Sequence, residues 1–387
     1  MINTFFTKPK EVHKYLNFFI ANNLEDYSAN RNYDLGPPHH NVSKLSPYIR
    51  RRFISETEII DLISKKFKLS KVDKFVQEIF WRTYWRGWLE LHPKVFDEYE
   101  KKISKYEIIN KTGIKCFDNW TDELIETGYL HNHARMWYAS IWIFTLKRPW
   151  EEGAHFFSDH LLDFCPASNT LGWRWVAGLQ TIGKNYLANS ENIKKFTNNR
   201  FYPKDQLNEY ELPIEDKSNL NSIVKPKISY EEIFIDKLKN KCLGLVLTNN
   251  DLSLHKIINN FNITNYETCV FYNKINKSKV VQSFNQSLFS EVANTTSKGE
   301  LISSFQGLID WVTSKKIKNL IIPYETVGSQ ILNKKEYLNI LRPIDVKCHF
   351  YLRDWDKVSF PFANKGFFPF KKKIPELLIK NGLRNII

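Results

Sequence analysis

The stretch GYLHNHARMWYASIWIF, Gly128–Phe144, decides how the first half of the chain is read. It is an apolar run that carries two histidines, an asparagine, an arginine and a methionine between His131 and Met136. Such a segment is a metal site, a contact to a buried cofactor, or a helix with an unusual surface. At about 100° per residue, His131 and His133 lie about 200° apart and do not pair on one ion. Asn132 and Met136 are four apart and share a face, as do His131 and Arg135. His155 and His160, five apart, are also poorly placed as a ligand pair, so no metal is expected. Arg135 is the informative residue, because an arginine in an apolar helix needs a carboxylate or a charged ligand. Asp163, in HLLDFCPASN, is a candidate partner, and Asn169 and GWRW follow it. These residue types suit a flat ring with a polar edge. Patterning alone leaves a structural ion pair in a helical core equally open.

The 387 residues are enough for two ordinary domains, and 42% are hydrophobic, so the chain folds around a sizeable core. Aromatic residues make up 15%, a load that serves a core or a stacking surface for flat ligands and bases. The formal net charge of +14 favours a polyanion, nucleic acid before anionic membrane; lysine-rich solvated faces give the same balance. Cys116, Cys165, Cys242, Cys269 and Cys348 stand far apart with no CxxC pair. That argues against a disulfide framework, a zinc finger or an iron–sulfur cluster, and fits a reducing compartment. MINTFFTKPKEVHKYL holds no signal-peptide run, and no stretch reaches membrane-spanning length. A cytoplasmic protein with no membrane partner is expected.

Residues up to about 200 read as helices. SKVDKFVQEIFWRTYWRGWLEL has helical apolar spacing, and DELIETGYL and HARMWYASIWIFTLK continue it. Gly36, Pro37 and Pro38 mark a loop before NVSKLSPYIRRRF. From 203 to 240 the chain is polar and carries Pro203, Pro213 and Pro226, which reads as a connector. CLGLVLT, TCVFYN and NLIIPYE are short β-rich runs. Between the last two, Leu301, Phe305, Leu308, Ile309 and Val312 are expected on one helical face. The alternation predicts a small α/β domain with a parallel sheet. No GxGxxG motif and no P-loop occur.

The run NHARMWYAS…W…G..FF…LLDFCPASNTLGWRW resembles the FAD-binding helical domain of the photolyase/cryptochrome family. YSANRNYDL with NVSKLSPYIRRRFIS, and QEIFWRTYWRGWLELHP, resemble two further blocks of that domain. The blocks span residues 10–200. The resemblance implies that Val42, Ser43, Lys44, Leu45 and Ser46 hold the FAD phosphates near a helix start. Tyr27 lies nearby, and Phe75, Phe164 and Cys165 belong to the cofactor site. Arg135 and Asp163 are implied to pair beside the ring, and Asn169 to face its N5. Glu78, Trp81, Asn132, Met136 and Trp175 match positions that line the pocket for a flipped pyrimidine dimer, with Trp81 and Trp175 as flat walls. Six-four photolyases carry histidines where this chain has Asn132 and Met136, so cyclobutane dimers are the implied substrate. Arg31 and Arg82 match basic positions on the DNA side, and His133 stands beside the key lesion position, where bacterial photolyases usually carry arginine. Trp173 and Trp150 match the inner and middle members of the family's electron chain. No tryptophan lies between Trp88 and Trp120 for the outer member; Tyr106 is a substitute. Cys165 departs from the usual aspartate.

The family's α/β domain normally comes first. Here residues 241–387 resemble it, through LGLVLTNNDLSLHKI, LIDWVTSKKIKNLIIPYETVGS and KGFFPFKKKIPELL. The expected architecture is therefore α + α/β in circularly permuted order. A helical FAD-binding domain (1–202) leads, a linker (203–240) follows, and a Rossmann-like antenna-type domain (241–387) ends the chain. The resemblance implies a monomeric photolyase that uses FAD to split cyclobutane dimers in UV-damaged DNA, with a second antenna chromophore possible. A cryptochrome-like blue-light photoreceptor without repair, a six-four photolyase, and a nucleic-acid-binding protein without flavin are the alternatives.

Overall fold

The computed structural model describes residues 5–387 except 104–105, 108–110, 216–219, 226, 229, 234, 239–241, 264, 273–277 and 330–333. Pro226 of the expected connector lies outside the described residues.

The first half is helical: α1 (Pro9–Asn22), α2 (Tyr27–Asn30), α3 (Ser46–Arg50), α4 (Glu56–Ser64), α5 (Leu69–Leu91), α6 (Pro93–Lys102), α7 (Lys115–Thr127), α8 (Asn132–Ser140), α9 (Trp150–His160), α10 (Pro166–Val176) and α11 (Ser190–Phe196). The long α5 buries Val72, Phe75, Val76, Ile79, Phe80, Thr83, Tyr84 and Gly87, a stripe at helical spacing. A Cβ at Gly87 would come within 2.9–3.0 Å of Phe360 and Ala363, so only glycine admits that close approach. His131 is not helical. It caps α8, its Nδ1 accepting the His133 N–H at 3.2 Å. A π-helical turn, Ile141–Thr145, follows α8.

The described part of 203–240 holds only two short 3₁₀ turns, Leu220–Ser222 and Ile235–Leu238. Beyond it lies a five-stranded parallel sheet of β1 (Leu243–Leu247), β2 (Glu267–Phe271), β3 (Gly299–Ile302), β4 (Asn319–Pro323) and β5 (Lys347–Tyr351), in the order β3-β2-β1-β4-β5. The crossovers carry α12 (Leu254–Asn260), α13 (Lys279–Thr295), α14 (Phe305–Ser314) and α15 (Lys334–Leu341). Leu301 departs from the expected helical face: it lies in edge strand β3, paired with Val270, and is 42% exposed. Helix α14 begins only at Phe305, capped by Ser304. Strand β1 splits its side chains by the period of two. Leu245 and Leu247 join the core shared with the helical half, while Val246 joins a second core with Leu308, Trp311 and Tyr337. Each fully buried aliphatic there contributes about 1.5–3 kcal/mol.

Three last helices, α16 (Asp354–Ser359), α17 (Phe367–Lys371) and α18 (Ile374–Lys380), close the chain. The first two pack on α5 of the helical half. The seam between the halves is polar as well as apolar. In IRRRF, Ile49–Phe53, Arg50, Arg51 and Arg52 are all buried. Arg50 donates to Phe164 O, Asn249 O (2.8 Å) and Asn250 Oδ1 (3.2 Å). Arg51 donates to Leu162 O (2.6 Å) and Asn285 Oδ1 (2.7 Å). Arg52 donates to Glu56 and to Asp356 Oδ1 at 2.7 Å, and Arg86 reaches the same oxygen at 3.1 Å. Glu90, at the end of α5, accepts from Tyr324 Oη (2.9 Å) and Val327 N (2.6 Å). The partners lie on the loops after β1 and β4, on α13 and on α16, so the three arginines staple both halves together.

Candidate functional site

Helix α10 packs on α5, α8 and α9, and this junction gathers the expected ring-binding residues. Arg135 donates through Nη2 to Asp163 Oδ2 at 2.9 Å and through Nε to Leu130 O at 3.0 Å. Its guanidinium also lies over Tyr129, 5.5 Å from the ring centroid. The Arg135 side chain is 23% exposed and Asp163 6%, so the pair reaches towards the surface at its arginine end. Asp163 Oδ1 is buried and has no hydrogen-bond partner. Asn169 is buried, and its Nδ2 donates to Ala154 O at 2.8 Å. Trp173 lies one helical turn further along α10, with a buried Nε1 that also has no partner. Gly153 makes room for it: a Cβ there would stand 2.2 Å from the Trp173 ring.

Cys165 caps α10 without a side-chain hydrogen bond. Burial raises its thiol, but the Arg82 and Arg50 guanidinium groups outweigh that and hold it below the usual thiol range. Phe164 is half-buried, and its carbonyl accepts from Arg50. Val42 and Leu45 are buried, while Ser43, Lys44 and Ser46 remain part-exposed at the start of α3. Lys44 has a positive φ of 48°, and burial lowers its ammonium. Tyr27 meets Phe75 edge-on at 5.1 Å, and Phe75 is otherwise core.

Asn132 is exposed and Met136 part-exposed on α8. Glu78 forms an ion pair with Arg31, both part-exposed. Trp81 and Trp175 do not touch each other. Trp175 stacks on Tyr186 at 5.6 Å, and Trp81 stacks on Phe367 of α17 at 3.4 Å with 11° between planes. Two expected DNA-side residues turn inward. Arg82 donates to Glu56 Oε1 (3.1 Å) and Arg50 O (2.7 Å), because buried Glu56 needs cationic neighbours. His133 is 9% exposed, stacks on Trp137 at 4.1 Å and bonds Asn32 O at 2.9 Å. Burial lowers its imidazole, and pushes that of His131 down to about 3. Both histidines are therefore neutral packing groups. His131 stacks over His39, whose Nε2 bonds Glu123 at 2.6 Å.

Trp150 stacks on Tyr99 of α6 at 5.4 Å and 24°. Tyr106, the expected substitute for an outer tryptophan, bonds Asp159 at 2.8 Å and packs on Phe156. The sequence reading missed Tyr99. Its signal was the apolar face Val95, Phe96, Tyr99 on α6. It also missed the IRRRF arginines, whose partners lie in distant segments.

Residues 75–208 match a family model described as the FAD binding domain of DNA photolyase. The chain is 28% identical over 183 residues to a deoxyribodipyrimidine photo-lyase of Alkalihalophilus pseudofirmus, covering 43% of this chain and 37% of the relative. It is 31% identical over 151 residues to that of Streptomyces griseus, covering 36% and 33%. The matches thus span little more than a third of these relatives' length. Among solved structures, the Synechocystis cryptochrome covers 50% of this chain and 44% of its own, with a TM-score of 0.45 at 20% identity. No helix among the described residues is long and apolar enough to cross a membrane. Over residues 75–208 this chain is thus similar to the FAD-binding domain of DNA photolyases.

Proposed function

We propose that this protein is a light-driven DNA repair enzyme that holds FAD in its helical half and acts on cyclobutane pyrimidine dimers. The observation that carries the reading is the Arg135–Asp163 pair, whose second carboxylate oxygen is buried and unpartnered, inside the matched segment. A buried carboxylate oxygen with no donor fits the N–H edge of a flavin ring. Arg135 holds Asp163 in one orientation. Asn169, fixed through Ala154 O, presents its amide in one orientation. Ser43, Lys44 and Ser46 supply hydroxyls and a cation for the phosphates. Bound FAD supplies the light-driven electron chemistry; the protein supplies position and electrostatics.

Glu78 with Arg31, the exposed Asn132 and the part-exposed Met136 and Trp81 supply the substrate side. The absence of histidine at 132 and 136 favours cyclobutane over six-four products. The net charge of +14 suits a DNA partner. We read the domain order as circularly permuted, which the helical half preceding the parallel sheet supports. The test is repair of dimer-containing DNA by purified protein with reduced FAD. Repair under blue or near-UV light and none in the dark is expected. Failure on both single- and double-stranded lesion DNA sinks the reading, and flavin binding with no repair replaces it with a photoreceptor.

A further inference from the structure

One element near Trp81 is not accounted for by that reading. Helix α17 is pinned to α5 on one side. Phe367 stacks on Trp81, Phe370 meets Tyr84 at 5.4 Å, and Tyr84 Oη donates to Lys365 O at 2.9 Å. Its other side faces solvent. Phe368 is 77% exposed, against 58% for Phe18 and 41% for Phe6, and makes no ring contact among the described residues. Pro369 follows directly and stiffens the segment. Lys365 and Lys372 are exposed and Lys371 part-exposed, with no ion pair among the described residues. Lys373, by contrast, is tied to Glu376 at 3.0 Å. No acidic residue interrupts ANKGFFPFKKK, Ala363–Lys373.

An exposed flat ring with uncommitted lysines on both sides offers a stacking face and cationic contacts to one polyanionic ligand. A ring flanked by cations matches a nucleic-acid strand, whose bases stack and whose phosphates take lysine. We propose that α17 and its flanks form a DNA-strand contact contributed by the C-terminal half. Phe368 stacks on or wedges beside a base next to the Trp81 face, and Lys365, Lys371 and Lys372 engage phosphates. The placement beside a lesion rests on the repair reading above; the strand contact itself does not.

The test is binding of the full-length protein to dimer-containing and undamaged duplexes across a range of KCl concentrations. The triple variant Lys365→Ala/Lys371→Ala/Lys372→Ala should lower the slope of log K against log salt by about 2 to 3 on both duplexes. Phe368→Ala should weaken binding to the dimer duplex about ten-fold, and less on undamaged DNA. Phe368→Leu keeps an apolar side chain but no flat face, so it should fall with Phe368→Ala; wild-type affinity for Phe368→Leu overturns the stacking contact. An unchanged salt slope in the triple variant, at unchanged melting temperature, overturns the strand contact. A wild type that binds both duplexes equally ends the lesion reading, while the salt slope still decides this one.

Discussion

Two arginine–aspartate pairs, one in each half, differ in how completely they are closed. In the C-terminal half, Arg353 grips both oxygens of Asp251 through Nε and Nη2 and also donates to Ser253 Oγ at 2.8 Å. The Ser253 N–H adds a bond to Asp251 Oδ1 at 3.0 Å, and all three residues are buried. In the helical half, Arg135 makes one bond to Asp163, stays 23% exposed, and leaves Asp163 Oδ1 without a donor. A closed fork has no capacity left for a ligand, so its role is to tie β1's loop to the start of α16. An open pair keeps an acceptor in reserve. Unpartnered oxygen alone is not the signature, because Asp356 Oδ2, deep in the seam, also has no partner. What sets Asp163 apart is that its arginine is part-exposed.

Three variants test this contrast. Arg353→Ala should be the most damaging, since it strands a buried carboxylate; a loss of about 3–5 kcal/mol in denaturant unfolding is expected. A loss as small as that of Arg135→Ala would erase the distinction. Glu325 sharpens it with a carboxyl closed by hydrogen bonds from Thr248, Asn250 and Ser329 and without a close cation. Burial pushes Glu325 from 4.5 up to about 7 against those bonds and against Arg50. The folded protein therefore holds a proton there that the unfolded chain releases. That stability is present below about pH 4.5 and lost as pH rises through about 7, up to about 3 kcal/mol. Melting curves of Glu325→Gln should match wild type at pH 4.5 and exceed it at pH 8; a gap that does not widen with pH contradicts the account. Arg135→Ala should be milder for folding than Arg353→Ala, because a single bond to Asp163 is lost and the part-exposed arginine site lets water reach the stranded carboxylate. It should nonetheless abolish flavin retention, read as loss of the yellow absorption. Colour that survives removes Arg135 from the cofactor site.

The helical half was legible where one residue broke a pattern. Arg135 in an apolar run demanded a carboxylate, and Asp163 stands opposite it. His133 was equally legible in principle, since Trp137, four residues on, is the ring it stacks upon. Leu301 misled because a short edge strand and the helix after it gave one continuous apolar spacing. Arg82 misled because its partner, Glu56, belongs to another helix 26 positions away. Phe367 on Trp81 was invisible for the same reason at far greater separation. Periodicity reports the face a residue occupies, and says nothing of what tertiary packing lays against it.

The arginine triplet also has a consequence in time. Synthesis delivers Arg50, Arg51 and Arg52 early, but their partners Asn249, Asn285 and Asp356 follow 199, 234 and 304 residues later. Until then Arg52 has Glu56 while Arg50 and Arg51 have only backbone carbonyls such as Phe164 O and Leu162 O, so each guanidinium lacks part of its set of partners. The full hydrogen-bond set that fixes α3 to the C-terminal half is therefore complete only when nearly the whole chain has emerged.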